Sequence, residues 1–227
     1  MLALKLGMSI GGSNKPMGGW TPSDEGSAVA WYKNKEGITL NGSDVSAWAD
    51  SSSNSYDMVQ ATATEQPAYN ASTGALTFIA GDSTNLQSAS SLALSDEFTI
   101  GIKLAPTATG AVISSNTLGS EFFKIQSPTV FRIKIDGSQV DVSLDSGSFI
   151  GDYYLVITRN ASNLITLYKN GVAQADTETL AGTADIDAIG VRKTDTNPFD
   201  GTIKEVQIYD STSAELTANI NTYLSNL

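Results

Sequence analysis

The feature that most constrains the fold is a set of short apolar–polar alternations that end at turn-forming dipeptides. Residues 98–104 place apolar side chains at every second position, which is the period of a strand with one buried face. Asp136-Gly137 and Asn170-Gly171 each separate two such runs, as two-residue hairpin turns do. About thirteen such runs predict an all-β domain of two antiparallel sheets packed face to face.

A single helical pattern follows the strands at the end of the chain. Leu216, Ile220, Tyr223 and Leu224 recur at three- and four-residue spacing, which is typical of a helix with one apolar stripe. Ser213 precedes this stripe and is a good N-cap residue. We therefore expect a short C-terminal helix that packs on the sandwich.

The last predicted strand, residues 201–210, reads GTIKEVQIYD and contains one residue out of place. Strict alternation puts Glu205 on the same side as Ile203, with Val206 and Ile208 on the other side. A carboxylate would then lie among apolar side chains, unless a β-bulge resets the phase.

Three segments of the chain resemble a known family. Residues 45–54 (VSAWADSSSN), 157–175 (ITRNASNLITLYKNGVAQA) and 201–210 are similar to segments of laminin G-like domains, which have the concanavalin A-like jelly roll. The resemblance spans residues 28–225 and implies a two-sheet antiparallel jelly-roll sandwich with a short C-terminal helix. Trp48 then fills the core, since a buried indole removes a large apolar area from water.

Residues 1–26 differ from the rest and are predicted to form an extended N-terminal arm before a domain at 27–227. An apolar alternation is followed by a stretch rich in Gly and Pro, which cannot hold a helix. The arm is interpreted either as an edge strand and linker on the sandwich or as a segment that docks onto a larger assembly, because an uncovered apolar edge invites pairing. The candidate docking residues are Leu4, Leu6, Met8, Ile10 and Trp20.

Composition excludes several classes of function. The net charge is −11, with 13 Lys and Arg against 24 Asp and Glu, so nucleic acid and anionic membranes are not expected partners. The absence of Cys and His excludes thiolate nucleophiles, Ser-His-Asp triads and ordinary zinc sites. No run approaches the roughly 18 apolar residues of a membrane span, and residues 1–12 lack the apolar core of a secretory leader.

No enzyme is predicted. Glucanases with the concanavalin A-like fold carry a strand motif E-x-D-x-x-E, which sets a nucleophile and an acid/base on one face. The chain has no such motif, and its glutamates, such as Glu97, Glu121, Glu178 and Glu205, are isolated. No catalytic or cofactor-binding residue is therefore assigned.

Calcium and sugar binding remain open at this point. Calcium takes 6 to 8 oxygen ligands, and residues 50–57, 82–85 and 195–200 are candidate loops, although acidic loop residues more commonly cap turns. Sugar binding requires exposed aromatic side chains beside polar ones. The candidate aromatic residues for sugar binding are Tyr32, Tyr56, Tyr69 and Phe199. Each of them also fits a core position, which is the favoured interpretation.

Two functional hypotheses follow. The first is a virion-surface structural protein, a phage capsid decoration or appendage head, whose arm docks onto other virion proteins. Its opening residues, MLALKLG, resemble those of laminin G-like domains in phage structural proteins. The second is a carbohydrate-binding lectin module in an extracellular location. Both could hold together if the arm anchors the chain and the sandwich contacts host-surface glycans, and a homo-oligomer is left open.

Overall fold

The computed structural model describes residues 19–192 and 194–227 of the 227-residue chain. The described residues form a β-rich domain with one α-helix at its C-terminal end. Short 3-10 turns lie at Pro22–Asp24, Ala63–Glu65 and Ala80–Asp82. The strands are, in chain order, β1 Ala28–Tyr32, β2 Ile38–Asn41, β3 Asp44–Trp48, β4 Met58–Val59, β5 Ala68–Asn70, β6 Ala75–Phe78, β7 Leu86–Leu94, β8 Phe98–Pro106, β9 Gly110–Ser114, β10 Phe122–Ser127, β11 Val130–Ile135, β12 Ser138–Ser143, β13 Tyr153–Arg159, β14 Leu164–Lys169, β15 Val172–Ala173, β16 Glu178–Thr179, β17 Ala184–Ile189 and β18 Gly201–Tyr209.

The strands pair antiparallel in two main sets, as the alternation predicts. One set has the order β1-β18-β8-β13-β14 and is called the helix-covered sheet. The other has the order β7-β17-β9-β10-β11-β12 and is called the open sheet. Strands β2 to β6 join the two, since β6 pairs with β18 and β4 pairs with β7. The predicted jelly-roll sandwich is confirmed.

The core lies between the two sheets. Phe98 of the helix-covered sheet meets Phe123 of the open sheet edge to face, with ring centroids 6.0 Å apart. Trp48 is fully buried, and its Nε1 donates to the Lys33 carbonyl oxygen at 3.1 Å. The prediction that Trp48 fills the core is confirmed.

A β-bulge resets the alternation in β18, which is the second of the two arrangements that the sequence left open. The register between β18 and β8 shifts between Ile203 and Glu205. Ile203, Val206 and Ile208 therefore all reach the core, while Glu205 lies on the opposite face of the sheet. Glu205 is nevertheless fully buried, because the C-terminal helix covers that face of the sheet.

Helix α1, Ala214–Leu224, packs on the outer face of the helix-covered sheet. The Ser213 side chain accepts a hydrogen bond from the Leu216 backbone N–H at 3.0 Å, which confirms the predicted N-cap. The helix approaches β8 closely at Gly101, where a Cβ would lie only 2.6 Å from Cγ2 of Ile220. In the part of the chain that the structure describes, no helix has the length and apolarity to cross a membrane.

Two local predictions differ in outcome. Both hairpin turns are confirmed, with positive φ at Asp136 (49°) and Asn170 (50°) as well as at the glycines that follow them. Strand β7, in contrast, was not predicted. Its sequence, LQSASSLAL, is dominated by Ser and Ala, which give no strong strand preference. Pairing with β17 imposes the extended conformation.

Candidate functional site

The outer face of the open sheet carries a concentration of basic side chains. In β10, Phe123 and Ile125 enter the core, so Phe122 and Lys124 point outward. The next strand alternates in the same way. We call the resulting surface the basic face, which consists of Phe122, Lys124, Arg132, Lys134 and Arg192.

Strand register sets the spacing of these groups. Lys124 lies directly opposite Arg132, and Phe122 directly opposite Lys134, across the β10–β11 pair. Directly opposed residues have Cβ atoms about 4.5–5.5 Å apart, and like charges in that position destabilise a sheet. The sheet therefore holds two positive charges together at a cost in stability.

Arg132 is the one cation of this face with a carboxylate partner among the described residues. Its Nε and Nη2 donate to the two Asp141 carboxylate oxygens at 2.6 and 2.7 Å. This fork-like pairing raises the pKa of Arg132 and lowers the pKa of the Asp141 carboxyl. Asp141 lies opposite Arg132 on β12, so it neutralises Arg132 and leaves Lys124 uncompensated.

Lys124 has an amide as its partner instead. Its Nζ donates to Oδ1 of Asn197 at 2.8 Å, and an amide oxygen cannot cancel its charge. Burial lowers the pKa of Lys124, and the positive charges of Arg192 and Arg132 lower it further. Lys124 is thus held in a positive local field.

The Phe122 ring positions the other two cations. Phe122 is buried, with Nζ of Lys134 at 5.9 Å and Cζ of Arg192 at 4.9 Å from its ring centroid. Cations are attracted to the face of an aromatic ring. Neither side chain forms an ion pair or donates a hydrogen bond within residues 19–192 and 194–227. Nε of Arg192 is buried without a partner among the described residues, so the donors left for a ligand are its two Nη groups and the Lys134 ammonium.

Arg192 reaches the basic face from the loop at 190–199. The Gly190 N–H donates to the Val112 carbonyl at 3.0 Å, and the Phe199 N–H donates to the Gly190 carbonyl at 2.8 Å. Gly190 has φ +87°, and a Cβ there would lie 2.4 Å from the Phe78 ring. Glycine is required at this position for both reasons. The loop is thereby closed on itself, and the Ala111 N–H of β9 anchors its far end by donating to the Asn197 carbonyl at 2.9 Å.

The outer face of β17 carries carboxylates that are engaged elsewhere. Asp187 is almost fully buried, and it accepts hydrogen bonds from the Ser115 hydroxyl at 3.1 Å and the Asn116 N–H at 2.5 Å. Asp185 accepts one from the Ser91 hydroxyl at 3.3 Å. In the part of the chain that the structure describes, neither forms an ion pair with a cation of the basic face, so these carboxylates do not occupy its donors.

The aromatic residues considered for sugar binding are core or partly buried residues. Tyr32 and Phe199 are buried; the Tyr32 hydroxyl donates to the Tyr56 carbonyl at 2.7 Å, and the Phe199 ring packs 5.9 Å from Phe78. Tyr56 and Tyr69 are partly buried and pack against the same core. The favoured core interpretation is confirmed for Tyr32 and Phe199.

Of the candidate docking residues, only Trp20 lies within the described part of the chain. Its Nε1 donates to Oε1 of Glu25 at 2.8 Å, and its ring meets Tyr223 of α1 edge to face at 6.1 Å. A groove of about 520 Å³ lies beside this contact. Leu4, Leu6, Met8 and Ile10 lie outside the described residues, so their docking role stays a prediction.

The calcium hypothesis finds no assembled ligand set in the described ranges. The Asp50 carboxylate accepts hydrogen bonds from the backbone N–H groups of Trp31 (2.8 Å), Ser52 (2.8 Å) and Tyr56 (3.1 Å), so it acts as a cap of its own loop. Within residues 19–192 and 194–227, no three acidic side chains converge as metal ligands would. Calcium binding stays a prediction without a located site.

Glu205 belongs to a buried polar network under α1. Its Oε1 accepts hydrogen bonds from Nε1 of Trp31 and Nε2 of Gln207, both at 2.7 Å, and its Oε2 accepts one from the Asn34 N–H at 3.1 Å. Burial raises the pKa of Glu205 despite these hydrogen bonds. Since no substrate can reach it under the helix, the network has a structural role.

Sequence reasoning missed the basic face. Lys124, Arg132 and Lys134 occupy alternate outward positions in two adjacent predicted strands, and the sequence contained that signal. Arg192 could not be added from the sequence, because only the folded loop brings it onto the Phe122 ring.

The family model of the concanavalin A-like lectin/glucanases superfamily matches residues 79–217, which include the whole basic face. The chain belongs to this superfamily. The resemblance seen in the sequence motifs is thereby confirmed. No curated protein matches the chain.

Solved structures with this fold are similar over most of the chain. The binding domain of Paraclostridial Mosquitocidal Protein 1 has a TM-score of 0.62 at 12% identity, covering 91% of this chain and 53% of that one. The binding domain of botulinum neurotoxin serotype D has a TM-score of 0.58 at 12% identity, covering 88% and 52%. The chain thus spans about half of these toxin structures.

A third structure matches over nearly its full length. Domain 4 of AbnA, a GH43 extracellular arabinanase from Geobacillus stearothermophilus, was solved in complex with arabinotriose. It has a TM-score of 0.58 at 15% identity and covers 86% of this chain and 97% of that one. At these identities the likeness shows the concanavalin A-like fold alone.

Proposed function

We propose that this domain is a non-enzymatic glycan-binding module whose ligand contacts the basic face. The observation that carries the proposal is the pair of cations, Lys134 and Arg192, which are held on the Phe122 ring and form no ion pair with any residue that the structure describes. Saccharides present many oxygen acceptors, and Lys and Arg supply only donors. Groups already held in place lose less entropy when a ligand binds.

The comparison structures support a binding role in general terms. Two are named as toxin binding domains, and a third is a domain of an arabinanase solved with a trisaccharide. The chain has no E-x-D-x-x-E motif, and Glu205 is sealed under α1. These observations favour binding without hydrolysis.

A binding screen tests the proposal. Isothermal titration of the folded domain against neutral and acidic oligosaccharides should give saturable binding to at least one of them. Lys134→Gln should weaken that binding. Lys169→Gln is the matched control, because Lys169 also lies over an aromatic ring, 5.0 Å from Tyr153, but in the helix-covered sheet. Equal loss in both variants, or binding to no saccharide, would overturn the proposal.

For the location of the module, we propose the surface of a phage virion, with residues 1–26 docking onto other virion proteins. The apolar alternation of Leu4, Leu6, Met8 and Ile10 and the resemblance of the opening residues support this proposal. Deleting residues 1–22 should leave a folded domain that no longer joins the particle. Retention of the truncated chain in purified particles at full copy number would contradict the docking role.

A further inference from the structure

We infer that the glycan recognised by the basic face carries a carboxylate on a sugar ring, as uronic and sialic acids do. This inference rests on the proposed glycan-binding function and adds the chemical class of the ligand. It is drawn from the charges of the face, their partners and their placement.

The first argument is the imbalance of charge on the face. The whole chain has a net charge of −11, yet four cations meet on one sheet face with Asp141 as their one ion-pair partner among the described residues. A neutral sugar would leave the remaining three charges uncompensated. A carboxylate would form charge-assisted hydrogen bonds, which are roughly twice as strong as neutral ones.

The second argument is the arrangement of the donors. Arg192 and Lys134 share the Phe122 ring, at 4.9 and 5.9 Å from its centroid, and Lys124 is held by Asn197 two positions further along β10. Nε of Arg192 is buried, and the two Nη groups of its guanidinium offer a planar fork that matches the two oxygens of a carboxylate. The lysines on either strand add single donors for the adjacent ring oxygen atoms.

The third argument concerns the size of the ligand. A long polyanion such as a nucleic acid would extend beyond the basic face and meet a protein surface of net negative charge, which repels it. A short saccharide with one or a few carboxylates fits within the width of two strands, about 10 Å at an inter-strand spacing of 4.7–4.9 Å. The charge pattern therefore favours a short acidic saccharide over a long polyanion.

The experiment compares ligands that differ only in the carboxylate. Titration calorimetry with tri-galacturonic acid and its methyl ester, and with sialyllactose and its methyl ester, isolates the charge and distinguishes uronic from sialic acids. We expect at least one acid to bind about tenfold or more tightly than its neutral counterpart, because the neutral ligand lacks one charge-assisted hydrogen bond. Raising the salt concentration should reduce that preference.

Variants locate the effect. Arg192→Gln and Lys134→Gln should each reduce affinity for the acid by about tenfold, while Lys169→Gln should leave it unchanged. Asp141→Asn frees Arg132 from its partner and should increase affinity for the acid but not for its neutral counterpart. This gain cannot come from misfolding.

The outcomes separate the two proposals. Equal affinity for acid and neutral forms would overturn the carboxylate inference and leave glycan binding intact. Absence of binding to every saccharide would overturn glycan binding itself. Tighter binding of a single-stranded oligo(dT) than of either acidic sugar, lost in Arg192→Gln, would overturn the inference in favour of phosphate recognition.

Discussion

Arg159 is a fully buried charge, and its removal is a stringent test of how the sandwich is held together. Its guanidinium donates to the carbonyl oxygens of Leu94 at 3.0 Å, Asp96 at 2.7 Å and Gly182 at 2.7 Å, and it stacks on Phe98 at 4.7 Å. One side chain at the end of β13 thus ties down the β7–β8 turn and the residues before β17.

Arg159→Met should destabilise the domain by about 3–5 kcal/mol. Each orphaned buried carbonyl costs about 1–3 kcal/mol, and three are orphaned. Removal of the buried charge offsets part of this sum, since burial already opposes the charged form and lowers the pKa of Arg159. Arg159→Lys should give an intermediate loss, because one ammonium group cannot reach three separate carbonyls.

Urea denaturation followed by far-ultraviolet circular dichroism measures both variants against the parent chain. The expected result is a lower midpoint with an unchanged slope, ordered parent, Lys variant, Met variant. An Arg159→Met variant within about 0.5 kcal/mol of the parent chain would refute the reasoning, since that is the scatter of ordinary surface substitutions.

Three further predictions concern α1 and the sheet beneath it. Gly101→Ala should lose about 1–3 kcal/mol of unfolding free energy by overpacking against Ile220; Gly81→Ala, with nothing within 4 Å of its Cβ, is the control, and equal melting temperatures would contradict the close packing. Ser213→Ala should cost about 1 kcal/mol in urea denaturation through the lost cap, and an unchanged midpoint would count against it. Because the pKa of Glu205 is raised in the fold, its stabilising contribution is present below the unfolded pKa and is lost as pH rises through the folded pKa. The stability advantage of the parent chain over Glu205→Gln should therefore shrink from pH 4 to pH 8, and a pH-independent difference would contradict the raised pKa.

Local patterns were enough to predict the parts of the fold that depend on neighbouring residues. The alternation in β8, the Asp136-Gly137 and Asn170-Gly171 turns and the Ser213 cap all express preferences that act over a few residues. Strand β7 escaped prediction because Ser and Ala carry little preference, and only its pairing with β17 makes it a strand.

The contacts of the functional side chains depend more strongly on tertiary structure than the strands and turns do, so the sequence predicts fewer of them. The carbonyl partners of Arg159 lie as far as 65 residues away in the chain, so the sequence shows the arginine but not its role. The predicted strands and their correct register are enough to place Lys124 opposite Arg132. Arg192 joins them only through the anchored 190–199 loop, which no local pattern specifies.

The most direct test of the account is a map of where a saccharide contacts the folded domain. Titration of the ¹⁵N-labelled protein with tri-galacturonic acid and, separately, with sialyllactose, followed by backbone amide shifts, gives that map. The account predicts that the perturbed amides lie in β10, in β11 and around Arg192. Perturbations confined to the groove beside Trp20 and Tyr223, or none with either saccharide, would contradict it.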